Sequence, residues 1–219
     1  FADQTSEINL RAPSRHLLGF GLVLLDANLD GRLDLLSANG HVHDGRPSYP
    51  WTMPAQLLLG GPDGRLVDPG ASPGPPFAQL HLGRGLAVGD LDNDGLPDAI
   101  LQAQNEPLVY LRNRSEGAGR FLVLQLEGTE SNRDAVGALV TIEAEGRRQI
   151  APRTGGGSYQ SASSGRLHFG VGKADRIDRI EIRWPSGQVD RFENLATNAA
   201  YLIREAEGFT LPLAGYDEP

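Results

Sequence analysis

"GFGLVLLDANLDGRLDLLSANG", Gly19 to Gly40, returns 64 residues later as "GRGLAVGDLDNDGLPDAILQAQN", Gly83 to Asn105. Each copy reads as glycine, apolar run, acidic loop, apolar run. The runs are short, bounded by glycine, and too brief for helices, so they predict buried strands on either side of a tight loop. A unit repeated at this period predicts stacked or radially arranged supersecondary elements, one sheet per unit.

The loops place side-chain oxygens at positions one, three, five and nine: Asp26, Asn28, Asp30 and Asp34, then Asp90, Asp92, Asp94 and Asp98. Glycine follows position five both times. Alternate carboxylates around a glycine turn can converge on one hard cation, which takes about six to eight oxygens at roughly 2.3–2.6 Å. The backbone carbonyls of Arg32 and Leu96, at position seven, are the natural additions. Two structural Ca²⁺ sites are therefore expected, with a pair of plain acidic turns or a magnesium site as the alternatives. An EF-hand does not fit, because its twelfth position carries glutamate and its flanks are helical, whereas Ser37 and Leu101 stand there between strands.

With 219 residues, 39% of them apolar, the chain can bury a sizeable core, and its 28 glycines and 15 prolines favour many short strands joined by turns. The expected class is all-β. A net charge of −8 with scattered cations argues against nucleic acid as a partner. Seven of the 16 aspartates lie in the two loops, so two divalent cations would cancel about half of that excess. Cysteine is absent, which removes disulfides and thiolate metal sites. No run approaches the roughly 18 apolar residues of a membrane span. The chain begins at Phe1 without a signal-like segment and reads as processed or cut from a longer protein.

From about Arg120 the acidic repeat gives way to alternation. Leu122, Leu124 and Leu126 share one face, as do Ala138, Val140 and Ile142, and "RIEIRW" sets Ile180, Ile182 and Trp184 against Glu181 and Arg183. "WPSGQ" predicts a turn joining "IDRIEIRW" to "QVDRFENL" as a hairpin. Further strands are expected at Arg147–Ile150, Arg166–Val171 and Ala200–Arg204, giving seven or eight half-buried strands in a β-sandwich over residues 119–206, after blades over 1–118 and before a tail over 207–219 that lies on the surface or docks onto a neighbour. "TGGGSYQSASSG" offers Tyr159 and Gln160 as a possible ligand-binding pair, stacking on and hydrogen-bonding to a sugar, or else a flexible connector. His41 and His43 fall on one side of an extended segment and make a weak transition-metal pair. Asn113 begins a formal glycosylation acceptor.

These features in this order resemble a known combination. "FADQTSE", the two acidic repeats and "VYLRN" look like the last blades of a VCBS or FG-GAP-type β-propeller. "FLVLQLEGTESNRDAVGALVTI", "GGGSYQSASSGRLHFGVG" and "IEIRWPSGQVDRF" resemble the ASPIC/UnbV domain that follows such blades in homologues of cartilage acidic protein. The resemblance implies secreted or cell-surface proteins, calcium in the blade loops, and no established catalysis. Asn28 departs from it, standing where many such loops carry aspartate, and predicts a weaker first site. Two blades do not close a propeller of about 4–8, so upstream blades or another chain are expected to complete it.

Three functions follow as expectations. The first is a non-catalytic calcium-binding module for recognition or adhesion, meeting protein or glycan at a cell surface. The second is a self-assembling filament or surface-layer subunit. The third is a carbohydrate-active hydrolase, disfavoured because the aspartates cluster as a cation requires and no nucleophile elbow, metalloprotease helix or P-loop is present.

Overall fold

The computed structural model describes residues 1–70 and 74–216. The last three residues of the tail therefore lie outside the described part. Each acidic repeat forms a hairpin with its loop at the turn. In the first, β1 (Gly19–Leu25) pairs antiparallel with β2 (Asp34–Asn39). After the two-residue strand β3 (Met53–Pro54), β4 (Gln56–Gly60) adds to β2 and β5 (Leu66–Val67) to β4, giving a four-stranded sheet in the order β1-β2-β4-β5. In the second repeat β6 (Leu80–His81) pairs with β3, and β7 (Gly83–Gly89), β8 (Asp98–Ala103) and β9 (Val109–Leu111) form a three-stranded sheet in that order. Both hairpins carry a register irregularity at the same place, between Gly19 and Leu22 and between Gly83 and Gly85. The repeat thus extends below the level of strands.

The two sheets are propeller blades packed face to face. Leu25, Leu36 and Ala38 of the first meet Leu86, Ala99, Leu101 and Leu111 of the second in one buried cluster. Alternation along β8 does this: Ala99, Leu101 and Ala103 point into the cluster, while Ile100 and Gln102 face away. Residues 1–18, with one helical turn at Arg11–Ser14, run along the first blade, tied by Leu66 N–H donating to Ile8 O and Gln56 Nε2 to Pro13 O.

The remaining strands build a sandwich of two four-stranded sheets. One holds β13 (Leu167–Gly172), β10 (Arg120–Glu127), β16 (Ala199–Arg204) and β17 (Thr210–Pro212), in that order. The other holds β12 (Arg147–Pro152), β11 (Leu139–Ala144), β14 (Arg176–Arg183) and β15 (Val189–Ala196). The expected hairpin is β14–β15, with Trp184 N–H donating to Gln188 O across the turn. Leu122, Leu124, Val140, Ile142, Phe169, Ile177, Ile180, Ile182 and Ile203 fill the space between the sheets.

Strand β10 is not half-buried as its alternation suggested. Val123, on its other face, is fully buried beneath Ala200 and Leu213. The cover is the tail, whose β17 extends the sheet beyond β16 and whose Leu213 N–H donates to Ala200 O.

Candidate metal centres

Both loops adopt one backbone. Position four is left-handed, Leu29 at φ 58° and Asn93 at φ 58°, and the glycine at position six follows at φ 84° and 90°. The aspartate at position one reaches across this turn: Asp26 accepts from the N–H groups of Asp30 (3.0 Å) and Gly31 (2.7 Å), and Asp90 from those of Asp94 (3.1 Å) and Gly95 (2.8 Å). Position three caps the same Asp30 or Asp94 N–H, through Asn28 (3.2 Å) or Asp92 (3.4 Å). Position five accepts from position seven, Asp30 from Arg32 N–H and Asp94 from Leu96 N–H, both at 2.9 Å. Position nine ties the loop to the next strand: Asp34 accepts from Ala27 and Gly60, Asp98 from Leu91, Asn113 and the Tyr110 hydroxyl. Asn113 and Tyr110 join the loop residues from β9 and its exit without a local signal in the sequence.

The two loops present their charge differently. Oxygens of Asp90, Asp92 and Asp98 lie within 4.8 Å of one another, the one such group of three acidic, histidine or cysteine side chains among the described residues. An all-oxygen donor set gathered this closely is the chemistry a hard divalent cation takes. In the first loop Asn28 is neutral and the Arg32 guanidinium lies 2.5 Å from Asp30 while also donating to Gly60 O. In the second the cation comes from outside the loop, with Arg112 at 2.5 Å from Asp92 and 3.6 Å from Asp94.

Burial pushes the Asp26 carboxyl up to about 7, opposed by the N–H groups of Gly31 and Asp30 and reinforced by the charges of Asp30 and Asp34. Asp34 and Asp94 are also raised, in each case first by burial. Carboxyls held above their ordinary range by desolvation and crowding are stabilised in their charged form by a bound cation.

The second domain closes over both loops. Gly119 N–H donates to Asn28 O and Gly172 N–H to Leu29 O, each at 2.9 Å, and the exposed Arg147 reaches Asp30 O at 2.8 Å. At the second loop His168 Nε2 meets Gly95 O at 2.7 Å and Arg166 donates to Asn93 Oδ1 at 2.8 Å. Burial lowers His168, consistent with a neutral ring donating from Nε2. From the tail, the Tyr216 hydroxyl accepts from Arg166 at 3.4 Å.

The serine-rich segment is neither a free loop nor a linker. The Ser158 hydroxyl accepts from Leu22 N–H on β1. On β7, the Ser163 hydroxyl accepts from Val88 N–H, and Ser164 N–H donates to Val88 O. Tyr159 lies edge-on to Phe20 and is 43% exposed, and Gln160 beside it is exposed at φ 47°. His41 and His43 pack around Tyr49, with His41 stacked on it at 4.0 Å. The Asn113 amide is committed, donating to Ala27 O and Pro97 O and so bridging the two loops. A cleft of about 660 Å³ opens beside this bridge, with Leu57, Leu59, Phe77 and Leu111 on its walls and Asn28 and Arg112 at its polar side. No helix among the described residues is long and apolar enough to cross a membrane.

Comparison with known families agrees with this division. Residues 26–101 match the family model described as FG-GAP-like repeat, and residues 128–209 match that described as ASPIC and UnbV. No curated protein matches the chain, so the likeness to cartilage acidic protein rests on the motifs alone.

Proposed function

We propose that this chain, in which an FG-GAP-like repeat region is followed by an ASPIC and UnbV domain, is a calcium-stabilised, non-catalytic module for recognition or adhesion outside the cytoplasm, with protein or glycan as its partner. The observation that carries the calcium reading is the convergence of Asp90, Asp92 and Asp98 in a loop whose backbone is duplicated 64 residues earlier. Asp90, Asp92, Asp94, Asp98 and the Leu96 carbonyl would hold one ion, and Asp26, Asn28, Asp30, Asp34 and the Arg32 carbonyl the other. The ion's contribution is positive charge at the centre of each turn. The loop residues already fix the turn through their backbone hydrogen bonds, so binding rigidifies a formed loop. Millimolar extracellular calcium suits sites of about 10⁻⁴ to 10⁻³ M affinity.

The same hydrogen bonds speak against hydrolysis. A general acid must offer its proton to a substrate, yet the position-one and position-nine aspartates each accept at least two donors from within the fold. Thermal unfolding in calcium and in excess EGTA tests the reading. Calcium is expected to raise the midpoint by several degrees, and an identical transition in both buffers sinks the proposal.

A further inference from the structure

The acidic loops lie where the blades meet the sandwich. In the first loop the carbonyls of three successive residues, Asn28, Leu29 and Asp30, all accept donors from the second domain: Gly119, Gly172 and Arg147. In the second, Asn93 and Gly95 are engaged by Arg166 and His168, and Arg166 is itself held by the Tyr216 hydroxyl of the tail. The approach is close enough to forbid side chains. A Cβ at Gly170 would stand 2.0 Å from Asp26 Oδ2, and one at Gly119 would stand 2.1 Å from Leu29 O. Position four, the left-handed residue, is a docking element both times: Leu29 is 2% exposed under β13, and Asn93 takes the Arg166 guanidinium. The sandwich, for its part, has its own core, separate from the cluster shared by the blades.

We infer that the two acidic loops are the clamp that fixes the sandwich against the blades, so that calcium loading and interdomain docking are one coupled equilibrium. This rests on the calcium reading above and goes beyond it: the ion organises the carbonyls that the second domain binds. Without an ion, the crowded carboxylates loosen a turn that its own hydrogen bonds keep formed, and a looser turn holds its row of acceptors less firmly in place. With one, the turn presents a fixed surface to Gly119, Gly172 and His168. Linkage makes the effect reciprocal, because whatever weakens docking must weaken calcium binding by the same factor.

The absence of cysteine makes a direct test simple. Asp63→Cys in the turn before β5 and Glu193→Cys on β15, both exposed in the native chain, allow spin labels to report the interdomain distance. A single narrow distance distribution is expected in calcium and a distribution about twice as broad in EGTA, with calcium uptake followed in parallel by calorimetry. Uptake without any change in the distribution overturns the inference and leaves the calcium reading standing. No uptake overturns both.

A second arm uses residues outside the loops. Gly119→Ala, whose Cβ would press on Leu29 O and not on a ligand, is expected to weaken calcium binding by about tenfold. Arg147→Ala, which removes only a surface donor to Asp30 O, should shift affinity in the same direction by a smaller factor and covers the case in which Gly119→Ala fails to fold. Native affinity in Arg147→Ala and in a folded Gly119→Ala overturns the inference.

Discussion

At position nine both loops bury an aspartate, Asp34 at 0% exposure and Asp98 at 1%, and there the likeness begins to fail. Asp34 accepts two backbone donors, whereas Asp98 accepts two and a tyrosine hydroxyl. The first loop keeps its balancing cation inside, on Arg32, and has lost one charge at Asn28. The second keeps all four carboxylates and borrows Arg112 from beyond β9. One backbone therefore supports two electrostatic solutions: the first loop approaches self-neutralisation, and the second retains a concentrated negative site. A third carboxylate, Glu205, shows the limit of the first solution. It is 2% exposed, and although burial works to raise it, donors from Ser186, Ser131 and Thr129 hold it down at about 2. Its charge is satisfied by the fold, while those of the loops are crowded by one another.

The largest test of this contrast is removal of the buried anchors. Asp98→Ala strands three donors and Asp34→Ala two, so urea unfolding in EGTA is expected to show losses of about 4 and about 3 kcal/mol. A larger loss for Asp34→Ala breaks the ranking.

Next comes pH. The folded Asp26 carboxyl at about 7 lies above its ordinary value of 3.8, so the folded chain binds more protons than the unfolded one between those values. Metal-free stability therefore falls as pH rises from about 4 to 7 and then levels off, by on the order of 2 kcal/mol after discounting for partial solvent access. Asp26→Asn should flatten that slope, and an unchanged slope in urea titrations at pH 5 and 8 removes Asp26 as its source.

The smallest effect concerns affinity. The second loop is expected to bind calcium about tenfold more tightly than the first, roughly 1.4 kcal/mol, read by calorimetry on Asp30→Ala and Asp94→Ala, each of which leaves the other site. Asn28→Asp should narrow the gap, and equal affinities in the two single-site variants remove the distinction drawn from Asn28.

Much of this was legible in the sequence because it depends on neighbours in the chain. Hairpins β1–β2, β7–β8 and β14–β15 follow from apolar runs flanking a turn, and the loop residues from their spacing. Alternation misread β10, since burial of Val123 depends on Leu213, 90 residues away. Position-nine partners on other strands, such as Gly60 and Tyr110, carry no local pattern. Nor do Gly170 and Gly119, whose need for a bare Cα arises only when the sandwich meets the loops. The serines of residues 158–164 look like linker composition because hydroxyls that satisfy a distant strand resemble those that face water.

That serine segment has a further consequence. Strands β1 and β7 are the first members of their sheets, and each would otherwise offer a row of unsatisfied amides to any extended peptide that drifted past. Ser158, Ser163 and Ser164 take up one residue on each of those rows, Leu22 and Val88, so a strand added there from another molecule would first have to displace them.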